Sequence, residues 1–97
     1  MQHYGIKKNI QKIEKYLSIT EKALQSIEIV PEHKQKADEV LDMAQRYYSD
    51  AKHYKEKGDF VTAVAAVNYA HGWLDCGARL GILKVQKNFH LFTVDEE

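Results

Sequence analysis

Apolar residues recur early in this chain at Ile6, Ile10, Ile13, Leu17, Leu24 and Ile27, in alternating steps of four and three once Thr20 is counted as a seam position. That period is the stripe of an amphipathic helix and predicts one over about residues 6–28. Thr20 keeps the register but breaks the stripe chemically, and with Ser18 it makes a local irregularity expected. Pro31 cannot extend this helix and suits the first turn of the next, expected over 32–57. There Ala37, Ala44, Ala51 and Gly58 fall every seven residues, and Val40, Tyr47 and Tyr54 lie three positions after the first three of them. An alanine seam lets a neighbouring backbone come close, while the tyrosines, widened by Leu41 and Tyr48, fill the space beside it.

Gly58 is suited to end the second helix, because it accepts a left-handed conformation without a Cβ penalty. Asp59 then reads as the N-cap of a third helix over 59–80, and so short a connection forces an antiparallel hairpin. Gly81 is a second C-terminal glycine. Residues 82–97, ILKVQKNFHLFTVDEE, form a tail whose β-prone HLFTV segment is expected to dock on the helices. The expected fold is all-α: an antiparallel up-and-down three-helix bundle, residues 1–97 as a single domain, with a short, partly extended C-terminal tail.

Composition narrows the function classes. With 97 residues the chain has room for one core, and 44% hydrophobic against 29% charged residues is the balance of a folded protein. Fourteen Lys and Arg cancel fourteen Asp and Glu, so the long-range field that draws proteins to nucleic acid is weak and nucleic acid is a disfavoured partner. The charge is uneven all the same: Lys7, Lys8, Lys12 and Lys15 make the first helix basic, and Asp95, Glu96 and Glu97 make the end acidic. A single cysteine, Cys76, excludes an internal disulfide; in its apolar setting it is expected to be a small core residue. No run approaches the roughly 20 apolar residues of a membrane span. The opening MQHYGIKKNIQKI lacks the apolar stretch of a signal peptide, so no membrane partner and a cytoplasmic location are expected. The histidines at 3, 33, 53, 71 and 90 have no metal-ligand spacing, and neither metal nor cofactor is expected.

Candidate chemistry concentrates in NYAHGWLDCGARLG, residues 68–81. On a helix, Asn68, His71, Asp75 and Arg79 share one narrow polar strip, with Gly72 beside them. Ala63, Ala66, Ala70, Trp73, Leu74, Gly77 and Gly81 form the opposite, packing side. Asp75 precedes Arg79 by four residues, the favourable order for an ion pair, and His71 precedes Asp75 by four, within reach of a hydrogen bond. An Asp-oriented His beside an Arg could hold a small anion; equally, a salt-bridged strip could fix the helix in its bundle. A helix-interior glycine costs about 1 kcal/mol against alanine. Close packing on the small-residue face accounts for Gly77, whereas Gly72 calls for contact with helix 1, the tail or another subunit, or for room for a ligand. The candidate binding residues are thus Asn68, His71, Gly72, Trp73, Asp75 and Arg79, with no complete catalytic set among them.

Two likenesses are local. Ala51, Tyr54, Gly58, Asp59, Phe60, Ala63 and Ala70 resemble the turn and small-residue spacing of a tetratricopeptide-type helix pair, but a solenoid needs several repeats and there is one. Arg46 and His53 resemble the loose Arg-x(4–6)-His motif of HEPN-type ribonucleases, in which two such pairs meet across a dimer. A longer likeness lies in KADEVLDMAQRYYSDAKHYKEKGDF and NYAHGWLDCGARLGIL, which closely resemble the archaeal domain-of-unknown-function family 357. That resemblance implies a compact, up-and-down all-helical protein and no established activity; His71, Trp73, Asp75 and Arg79 are motif positions within it. The expected function is a non-enzymatic helical interaction module, self-associating or binding a protein partner or small anion through the polar strip. The alternative is an RNA- or nucleotide-processing protein of HEPN-like type using Arg46 and His53, or His71 and Arg79.

Overall fold

The structure, a computed structural model, describes the backbone of residues 2–84 and the side chains of residues 10–84. The HLFTV segment and the acidic end lie outside the described residues. Three helices, α1 (Gln2–Ser26), α2 (Lys34–Glu56) and α3 (Phe60–Arg79), pack as an all-α three-helix fold. The alanine seam of α2 is buried, with Ala37, Ala44 and Ala51 fully enclosed, and α3 turns Ala63, Ala66, Ala70 and Gly77 inward. Small residues on both surfaces allow the close approach that makes α2 and α3 the most extensive pairing among the described elements. α1 lies across this hairpin and contributes Ile13, Leu17, Thr20 and Ala23 to the interior.

Both ends of α3 are set by local chemistry. At its start Asp59 accepts a hydrogen bond from the Thr62 backbone N–H at 3.2 Å, an N-cap that satisfies one orphan donor of the first turn. The helix before it closes on Gly58 at φ 83°, and α3 closes on Gly81 at φ 78°. In each case the glycine and the residue after it donate back into the last turn: Gly58 to Lys55 and Asp59 to Tyr54, then Gly81 to Ala78 and Ile82 to Gly77, all at 2.9–3.1 Å. These paired bonds need the left-handed backbone that glycine adopts without strain.

Two features differ from expectation. α1 stops at Ser26, and Glu28–Ile29 (β1) instead pairs antiparallel with Leu83–Lys84 (β2), Glu28 opposite Lys84 and Ile29 opposite Leu83. The Val30 N–H extends the pairing to the Ile82 carbonyl at 3.1 Å. The β-branched run Ile27, Ile29, Val30 favours extended backbone, and pairing satisfies groups that a longer helix would have bonded internally. α2 begins later than expected because Pro31–His33 form a 3-10 turn before the helix proper.

The two-stranded clasp brings Leu83 over α3. A Cβ on Gly77 would lie 2.5 Å from Leu83 Cδ1, 2.9 Å from its Cγ and 3.2 Å from Val40 Cγ1. Gly77 is therefore the seat for the clasp, which is the close packing its sequence context called for. Gly77→Ala is expected to lower stability by about 1 kcal/mol net, because overpacking by 1–3 kcal/mol outweighs the helix-propensity gain of about 1 kcal/mol. Urea denaturation gives the value; an unchanged or higher midpoint would contradict the tight contact.

Candidate functional site

α3 carries the polar strip, but the structure divides it. His71 and Asp75 are buried, whereas Asn68, Gly72 and Arg79 are exposed. Trp73 is half-buried against the core cluster around Leu74, Ile82 and Leu83, so it belongs to the packing side. The six candidates therefore form no single open site. α1 meets this strip at His71, through Thr20 and the Tyr16 ring, while Asn68, Gly72 and Arg79 face solvent.

His71 reaches Thr20 on α1 with its Nε2 2.7 Å from the hydroxyl. Thr20 donates its one proton to the Tyr16 carbonyl, also at 2.7 Å, so the ring Nε2–H must donate into Thr20 Oγ1. The Tyr16 ring meets His71 edge-on at a centroid distance of 5.4 Å. Burial pushes His71 down to about 4; the Tyr16 carbonyl and the Asp75 carboxylate favour its charged form but do not offset the loss of water. At neutral pH it is an uncharged imidazole that links α1 to α3.

Asp75 departs from the expected pattern. Neither carboxylate oxygen meets a hydrogen-bond donor, and both are shielded from solvent. Asp75 thus makes neither the anticipated hydrogen bond to His71 nor one to Arg79: His71 turns to Thr20 instead. A buried carboxylate without donors is costly, and its cost falls on this part of α3.

Gly72 has nothing within 4 Å of where a Cβ would stand. None of the described packing within the chain requires a glycine there. Gly72→Ala is expected to raise the stability of the chain in dilute solution by up to about 1 kcal/mol, the helix-propensity difference. A loss in thermal melting would show a contact at this position.

Beside Gly72 lies a surface that the strip did not anticipate. Val61, Tyr69 and Leu80 are 79%, 60% and 68% exposed, and Ala65 and Cys76 are exposed between them. Cys76, expected in the core, is on this outer face. Its helical spacing from Gly72 and Tyr69 was the available signal, and the apolar character of its neighbours obscured it. Tyr69 leans on Tyr47 of α2 at a centroid distance of 5.2 Å.

Arg46 and His53 are both exposed on α2, where Arg46 pairs with Asp42 at 2.9 Å and His53 meets the Tyr54 ring edge-on at 5.2 Å. Tyr48 packs against the cluster around Ile13, Ala63 and Val67, with Lys52 Nζ 4.9 Å from its ring centroid. Among the described residues there is no group of three His, Cys, Asp or Glu able to hold a metal ion. Among them, too, no helix is long and apolar enough to cross a membrane.

A three-helix all-α protein with a buried His–Thr link and an apolar outer helix face is the class these observations define. The model of a protein family of unknown function, DUF357, matches residues 15–83, and the chain belongs to that family. The fold is similar to the crystal structure of protein AF1782 from Archaeoglobus fulgidus, assigned to the same family, with a TM-score of 0.72 and 26% identity over 84% of this chain and 97% of that one. No curated protein matches the chain.

Proposed function

We propose that this chain is a non-enzymatic helical interaction module, acting as a single domain, whose contact surface is the outer face of α3. The observation that carries this reading is the exposure of Val61, Tyr69 and Leu80 on one side of one helix. Single exposed apolar residues are ordinary; three large ones aligned along a helix, with only small residues between them, mark a surface that a partner covers. Two of the groups suited to chemistry are engaged within the fold. His71 is neutral and bonded to Thr20, and Arg46 is paired with Asp42. Asn68 and Arg79, exposed members of the polar strip, border this face and form its polar rim.

Cys76 lies within the surface and reports on it directly. Its alkylation by a maleimide is expected to be several-fold slower in a concentrated extract of the source cells than in dilute purified protein, and Leu80→Glu is expected to restore the dilute rate. Equal rates in both conditions, for the native chain, would remove the contact surface.

A further inference from the structure

The outer face of α3 has an internal order that selects its partner. Its residues, Val61, Ala65, Tyr69, Gly72, Cys76 and Leu80, follow one another in steps of four, four, three, four and four, a continuous seam at helical period. The seam is its own complement when reversed. Large residues stand at both ends, small ones come next, and in the middle a tyrosine is followed by a glycine with open space over it.

Resting on the interaction-module reading, we infer that the partner is a second copy of this chain, docked by its own α3 in antiparallel orientation about a two-fold axis between Tyr69 and Gly72. Val61 then meets Leu80 of the second copy, Ala65 meets its Cys76, and Tyr69 lies in the notch over its Gly72. An isologous interface requires a surface to fit its own reversed image, a condition that a seam made for an unrelated partner has no reason to meet. Antiparallel docking also sets the two α3 dipoles in opposite senses, the favourable arrangement for helices packed side by side. Gly72 at the centre, opposite Tyr69 of the second copy, and Ala65 with Cys76 on either side keep the seam low enough for close helix packing. The arrangement also accounts for Gly72, which carries the helix penalty of glycine although none of the described residues stands within 4 Å of where its Cβ would be.

A cross-link reads the register. Residues 65 and 76 of one helix are about 16 Å apart, too far for an internal disulfide, and in this dimer two Cys76 residues are separated by a similar distance. Mild oxidation of the Ala65→Cys variant is expected to give a disulfide-linked dimer through Cys76 of the second copy, at least about tenfold faster than the native chain. Adding Gly72→Leu, at a position open in the single chain, is expected to slow the cross-link about tenfold as the notch fills, with the helix content unchanged by circular dichroism. Equal cross-linking of the native chain through Cys76 alone would replace this register with a parallel one and overturn the inference. So would an Ala65→Cys variant that stays uncross-linked at high concentration. In that last case, slow alkylation of Cys76 in cell extract would leave the interaction module standing with another partner, and fast alkylation would remove both.

Discussion

Acidification from pH 6.5 to pH 4 is expected to cost this protein about 3 kcal/mol of stability through His71 alone. Its pKa falls from the ordinary 6.5 to about 4 on folding, chiefly because burial strips the imidazole of water. Between those two values the unfolded chain binds a proton that the folded chain refuses. Stability therefore rises with pH across this window: the full contribution is present above pH 6.5 and is lost progressively down to pH 4. The fall from 6.5 to about 4, at about 1.4 kcal/mol for each tenfold change in proton affinity, sets the size. Carboxylates also begin to titrate at the lower end, so the useful quantity is the difference between the native chain and His71→Gln, which cannot take up the proton. Urea unfolding of both at several pH values between 4 and 7 is expected to show the native chain losing stability relative to the variant as pH falls. Parallel curves would mean that His71 is not buried neutral against Thr20.

The second large effect has the opposite sign. Asp75→Asn is expected to raise stability by about 2 kcal/mol, because it removes a charge that is buried without a donor on either oxygen. For a domain of this size that is on the order of 10 °C in melting temperature. The same change carries a signature that a general gain in packing would not produce. Asp75 favours the charged form of His71, so its neutralisation is expected to move the His71 titration, followed by NMR, further down. A destabilised Asp75→Asn variant would show that the carboxylate holds a donor in solution.

These two residues also show how far the sequence could be read. The helical wheel sets Asn68, His71, Asp75 and Arg79 on one arc of α3, since angular position depends only on the period. It could not say where the edge of α1 would fall across that group, because burial depends on the register between helices far apart in the chain. Sequence spacing therefore points His71 toward Asp75, four residues away, whereas the fold bonds it to Thr20 on another helix. The clue was present in Thr20, a polar residue at a seam position of α1, but a seam polar group names no partner. Gly58, Asp59 and Gly81 were legible for the opposite reason: each acts through its own backbone or the next turn, and nothing distant has to be known. The β1–β2 clasp was not legible, because it joins two short segments on either side of the α2–α3 hairpin.

Gly77 and Gly72 sit five residues apart in one helix, and the structure gives them opposite meanings. Gly77 is enclosed by Leu83 and Val40, whereas Gly72 opens outward in the middle of an apolar seam. The antiparallel α3 interface depends on that second glycine and the face around it. Sedimentation equilibrium of the native chain and of Gly72→Leu over a wide concentration range tests it most directly. The native chain is expected to pass from the mass of one chain to that of two as concentration rises, while Gly72→Leu remains a monomer over the range in which the native chain pairs. A native chain that stays monomeric throughout, or a Gly72→Leu variant that pairs as readily, would contradict the antiparallel α3 interface.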